Sequence, residues 1–135
     1  MSTFFSASPI WQQQGLALVR IITGFFLAYH GWEVFDRPTM EIYLGWDVFK
    51  NQSIGEILPY IGKGAELLAG ILFIVGWLTR LAAILTIGTM LFVAFGIGGG
   101  KIWYGDQPPF MFVLLSLVFI FTGPGAWSID GRGRK

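Results

Sequence analysis

The sequence predicts an all-α integral membrane protein whose four transmembrane helices form an antiparallel bundle. Three observations carry this. Of 135 residues, 54% are hydrophobic and only 13% charged, whereas a soluble domain carries roughly 25% charged residues. The charges gather between long apolar runs. Those runs number four, at about 14–35, 54–77, 80–98 and 107–123, and together with the polar loop 36–53 they make one membrane domain over residues 1–135. Short second and third connections join antiparallel neighbours, which puts both ends of the chain on one side.

Taken in order, the first run is interrupted by Arg20, His30 and Glu33. The segment Asp36 to Ser53 is polar and aromatic, and holds Arg37, Pro38, Glu41, Asp47 and Lys50. After the second run Thr79-Arg80 makes a tight hinge, where the Thr79 side chain is placed to cap the next helix. The third run ends at Gly98-Gly99-Gly100-Lys101, because glycine removes side-chain support and permits left-handed backbone. This glycine cluster is not a phosphate-binding loop, since Phe95 stands where that loop needs glycine and Ile102 where it needs Ser or Thr. Asp106-Gln107-Pro108-Pro109 opens the fourth run, with Asp106 as its cap and proline in the first turn. That run has about 15 apolar residues against the ~20 that cross a ~30 Å core. It therefore extends through flanking polar residues or sits where the bilayer thins. No internal repeat is visible.

Composition removes several function classes. The absence of cysteine excludes disulfide exchange, iron–sulfur ligation and thiolate metal sites. One histidine excludes bis-histidine haem ligation within the chain, and no metal site is expected. A net charge of +1 gives no general attraction to nucleic acid, although Arg132-Gly133-Arg134-Lys135 makes a small basic tail suited to acidic headgroups. No basic n-region or small-residue cleavage site marks a removable signal peptide.

Arg80, Arg132, Arg134 and Lys135 lie on the terminal side, and Arg37, Lys50 and Lys101 on the other, with Lys63 marginal. The second side also holds most of the acids, so both termini are placed in the cytoplasm and the protein in a bacterial inner membrane, as a multi-pass chain. Trp11, Trp32, Trp46, Trp77, Trp103 and Trp127 fall near span ends, where indole favours the headgroup layer.

The polar residues inside the spans are the functional candidates, because ionisable groups at membrane depth are costly and face a bundle interior or a wet cavity. Arg20, Gly24, Leu27 and Gly31 share one helical stripe, and so do Gly62, Glu66, Gly70 and Phe73. Small residues let helix backbones approach, so both stripes face inward. A rise of ~1.5 Å per residue puts Arg20 about 9 Å deep, His30 about 24 Å deep and Glu66 roughly 18 Å below the opposite interface. Glu66 thus sits in depth between Arg20 and His30, within reach of either. Lys63 is level with His30 and Glu33, and Lys63 with Glu33 reads as a structural salt bridge at the rim. Glu66 is either half of a structural pair or a ligand- or proton-binding group; Arg20 either snorkels or joins it. His30 is either an interfacial hydrogen-bonding side chain or a proton-exchanging group beside a cavity.

The motifs Arg20-x3-Gly24, Tyr29-His30-Gly31-Trp32, Gly64-Ala65-Glu66-Leu67-x2-Gly70, Gly76-x2-Thr79-Arg80-x-Ala82-Ala83 and Gly123-Pro124-Gly125-x2-Ser128-Ile129-Asp130 resemble, in order and spacing, the DoxX family of small bacterial membrane proteins. The resemblance covers about Leu16 to Asp130 and implies a four-span bundle, with Arg20, His30, Glu66 and Arg80 as motif positions. The family is named for a subunit of a membrane thiosulfate:quinone oxidoreductase, and other members are linked to redox or oxidative-stress complexes. It therefore implies a quinone-interacting subunit of a membrane redox complex. Such a chain would be at most an oxidoreductase subunit with no redox centre of its own and no covalently bound cofactor. Its ring ligand would meet His30, Glu66 and Trp32; no thiosulfate site can be argued in a chain without cysteine. The competing readings are a non-enzymatic assembly subunit and a small transporter or proton carrier. Expected partners are the lipid bilayer and either further copies of the chain or other membrane subunits.

Overall fold

The computed structural model describes residues 5–50 and 55–132. Among them the protein is all-helical, with four long helices packed antiparallel. Helix α1, Gln12–Gly31, continues into a 3₁₀ turn, Trp32–Phe35. The polar segment folds into two short helices, α2 at Arg37–Leu44 and α3 at Asp47–Lys50. Helices α4, Leu58–Val75, and α5, Thr79–Leu91, follow, and α5 runs on into a π turn, Phe92–Ile97. Helix α6 is Gln107–Thr122 and a last short helix, α7, is Ile129–Arg132. The sequence reading starts the second span near Ile54, which lies outside the described residues, as do Arg134 and Lys135 of the basic tail.

Gln12–Phe35, Leu58–Val75 and Thr79–Ile97 are long and apolar enough to cross a membrane, while α6 has 16 residues. At ~1.5 Å per residue α6 spans about 24 Å, short of the ~30 Å hydrocarbon core. Side chains such as Phe25, Phe26, Leu68, Ile84 and Phe121 point out of the bundle. A monomer in water does not expose so much contiguous apolar surface, and in a bilayer it is the lipid-facing wall.

Helix ends follow local chemistry. Pro59 and Pro108 occupy first turns, where no N–H is needed. Gly76 ends α4 in the left-handed region at φ 71°, its N–H bonded to Leu72 O at 2.8 Å. A Cβ there would also fall 2.4 Å from Ser128 Cβ, so the position is closed to larger residues twice over.

Two expected caps are replaced. Thr79 lies inside the first turn of α5 and its buried Oγ1 has no partner, so it does not cap. The cap comes from the far end of the chain: Asp130 Oδ1 accepts from Leu78 N and Oδ2 from Thr79 N, both at 2.8 Å. A carboxylate offers a separate charged oxygen to each of two adjacent N–H groups, whereas a threonine hydroxyl has one neutral oxygen. Asp106 likewise makes no cap bond to α6; its Oδ2 accepts from Gly99 N at 3.1 Å and Lys101 N at 2.9 Å and ties down the glycine loop.

The most extensive packing is α1 on α4, then α5 on α6, then α4 on α5. The α1–α4 seam is built on glycine. A Cβ on Gly24 would lie 2.6 Å from Gly70 O, one on Gly31 2.3 Å from Leu67 N, and one on Gly70 2.5 Å from Ala28 N. These are backbone atoms that cannot yield, so glycine is what lets the two helices touch. Beside the seam, Leu27, Ala69, Leu72, Phe73, Ala82, Ala83, Met90, Val113 and Phe119 form the apolar core. The Phe73 and Phe119 rings tilt together with centroids 5.5 Å apart.

Candidate functional site

At the end of the bundle where α2 and α3 lie, the helices line a partly open cavity of about 320 Å³. Its wall is aromatic and apolar: Tyr43, Trp46 and Phe49 come from α2, α3 and the turn between them, Phe92, Val93 and Ile97 from the π turn, and Pro108, Pro109 and Phe112 from α6. Into this wall His30, Lys63 and Glu66 bring the charged and proton-exchanging groups. Glu66 is buried, and the one-turn spacing on α4 puts Lys63 on the same face.

The ionic geometry is a line. Lys63 Nζ lies 3.1 Å from Glu33 Oε1 and 3.6 Å from Glu66 Oε1, so two carboxylates share one ammonium. Tyr43 O–H donates to Glu33 Oε1 at 2.5 Å, and the Lys63 ammonium sits 5.2 Å from the Tyr43 ring centroid. Burial raises the Tyr43 phenol above its ordinary value, and its bond to the Glu33 carboxylate raises it further. Tyr43 is thus held as a donor.

The structure separates residues that the sequence groups together. Arg20 neither snorkels nor approaches Glu66. Its side chain is fully buried at the opposite end of the bundle, in a cage of carbonyls. Nε donates to Phe73 O at 2.7 Å, Nη1 to Pro124 O at 2.5 Å and Ala126 O at 2.9 Å, and Nη2 to Trp127 O at 2.8 Å. Trp32 is exposed, packs edge-on to Phe35 at 4.9 Å, and lines a shallow groove with Tyr29, Glu33 and Asp36 rather than the cavity. Its place as the cavity indole is taken by Trp46. Arg80 is also remote from the cavity, with Nε donating to Ile120 O at 2.9 Å. Sequence reasoning treats 36–53 as a loop and so misses Tyr43, Trp46 and Phe49; their three-residue spacing, one helical face, is the signal that finds them.

The π turn is the second feature the sequence does not announce. The third apolar run contains no proline or polar residue between Leu91 and Ile97 to mark a break. Yet the wider turn faces the cavity with Phe92, Val93 and Ile97, and single π turns in α-helices are frequent at functional sites.

A DoxX family model matches residues 15–99, more than half of the chain, from the first turn of α1 to just past the π turn. The chain belongs to the DoxX family. The matched stretch of this DoxX-family protein includes Arg20, His30, Lys63 and Glu66, and stops before the Pro124–Trp127 carbonyls that hold Arg20. An uncharacterized protein of Haemophilus influenzae is 27% identical over 124 residues, covering 87% of this chain and 89% of that relative. No solved structure matches.

Proposed function

We propose that this DoxX-family chain is a membrane subunit that holds the ring of a quinone-class ligand in the cavity beside Glu66, as part of a redox complex in a bacterial inner membrane. One observation carries the reading. In an aromatic cavity of about 320 Å³, the charged and proton-exchanging groups are gathered on one side as His30, Lys63 and Glu66. A flat ring with carbonyls at its edge needs that combination of apolar slot, hydrogen-bond donor and proton-exchanging group. The volume falls at the lower end of small-ligand sites, which suits a single ring with its tail outside. Family membership supports the redox setting, and the electrons would come from a partner, because the chain supplies no cysteine ligands for a cluster.

The test is equilibrium titration of the purified protein in lipid nanodiscs with a short-tailed quinone, read by quenching of Trp46 against a Trp46→Phe control. Saturable binding that weakens at least about tenfold, or about 1.4 kcal/mol, in Glu66→Gln and His30→Ala supports the reading. Absence of saturable binding, or binding indifferent to both substitutions, overturns it and favours an assembly subunit.

A further inference from the structure

The three ionic groups beside the cavity are graded from water inward. The side chain of Glu33 is 36% exposed, that of Lys63 16% and that of Glu66 6%, with Lys63 3.1 Å from the first carboxylate and 3.6 Å from the second. A clamp between α4 and the 3₁₀ turn that follows α1 needs only one carboxylate for Lys63, and Glu33 already provides it. The second, Glu66, adds a buried ionisable group whose desolvation costs several kcal/mol in the general case, so packing alone does not account for it. What the second carboxylate does add is continuity: ion pairs at 3.1 and 3.6 Å lead from the rim to the cavity.

We propose that Glu33, Lys63 and Glu66 form a proton path between the aqueous rim and the cavity. The inference deepens the ring-binding reading and takes its purpose from it. In the inward step the Lys63 ammonium gives one proton to the Glu66 carboxylate, and the Glu33 carboxylate takes one from hydronium at the rim and passes it to the Lys63 amine. One proton enters, Lys63 regains its charge and no electron moves. Tyr43 holds Glu33 in place through its 2.5 Å bond and packs its ring beneath the ammonium. The groups facing Glu66 are Lys63 on its own helix, His30 from α1, Tyr43 from α2 and the hydroxyl-bearing Thr89 from α5. Arg20 takes no part, because all its bonds go to carbonyls at the other end. His30 is exposed and touches the same cavity, which makes it the rival entry point.

The path is tested without any ligand. In nanodiscs, the carboxyl C=O band of Glu66 is assigned by infrared spectroscopy from its loss in Glu66→Gln. Its shift is then followed after exchange into D₂O. Lys63→Met and Glu33→Gln are expected to slow that exchange by about tenfold or more, while His30→Ala leaves it within about twofold. Glu33→Gln, at the rim and nearly isosteric, carries the test if Lys63→Met does not fold. Wild-type exchange rates in folded Glu33→Gln overturn the proposal. So does slowing confined to His30→Ala, or a Glu66 that shows no protonated band anywhere between about pH 5 and about pH 9. A failed quinone titration with a relayed exchange would sink the ring-binding reading alone.

Discussion

Arg20 and Asp130 show how single side chains close one end of the bundle. The guanidinium gathers carbonyls from α4 and from the Pro124–Trp127 segment, while Asp130, in the α7 helix that follows, caps α5. Arg20→Met would leave four carbonyls with a lost donor in a buried place, and we expect it to cost about 3 kcal/mol or more in reversible unfolding from mild detergent into SDS. Arg20→Lys should recover little, because an ammonium cannot reproduce the planar fork. Burial works to raise the Asp130 carboxyl, but the N–H groups of Thr79 and Leu78 and the charge of Arg20 hold it below its ordinary value. Its folded-state value is therefore below the unfolded value of about 3.9. The stabilisation it brings is fully present above about pH 4 and is lost as pH falls through the folded value. Asp130→Ala should lower stability by about 1 kcal/mol at neutral pH and flatten the acid limb of a melting-temperature profile. A profile unchanged by Asp130→Ala would contradict the cap. The sequence puts Arg20 and Glu66 on inward stripes, and both are buried; it does not reveal that they serve opposite ends. Depth along a helix is readable from rise per residue, whereas three of Arg20's four partners sit more than a hundred residues away in a turn, with no periodic signal.

Between elements, the seam of α1 and α4 depends on glycines whose missing Cβ atoms would meet backbone. Gly70→Ala and Gly31→Ala are expected to force the helices apart and to lower the melting temperature. Gly88→Ala, on α5 with nothing within 4 Å of the added carbon, should be neutral or stabilise by about 0.5–1 kcal/mol through helix propensity. Equal effects at the three positions, measured by thermal melting in one detergent, would contradict the close-approach account. The long helices were legible because each apolar run carries few charges and is set off by polar, Pro or Gly residues, and because α1 and α4 carry their small residues at helical spacing. The short helices α2 and α3 were not, since their polar and aromatic residues read equally well as an interfacial loop. The π turn was not legible either: an extra residue in one helical turn leaves composition unchanged.

For the whole molecule, both described ends meet at one end of the bundle, where Ala126 N bonds to Gln13 O at 2.9 Å, and the cavity lies at the other. The expected topology, with both termini cytoplasmic in a bacterial inner membrane, would open the Glu33 rim on the outer side. The cysteine-free chain makes this simple to check: Ser8→Cys should be protected from a membrane-impermeant maleimide in intact spheroplasts, and Trp103→Cys labelled. The reverse pattern would invert the topology without altering the site. The membership of the family was legible from five spaced motifs, but the cavity was only half so, since α4 and α1 announced their polar residues while its aromatic wall came from segments read as loop or as uniform helix. The central claim is that a ring ligand occupies the space between Glu66 and that wall. Photolabelling the protein in nanodiscs with an azido-quinone, followed by peptide mass spectrometry, tests it most directly. The account predicts label on Trp46, Phe92 or Phe112, removed by excess unmodified quinone and reduced in Glu66→Gln. Label confined to the lipid-facing Phe25, Phe26 and Phe121, and indifferent to competitor, would contradict it.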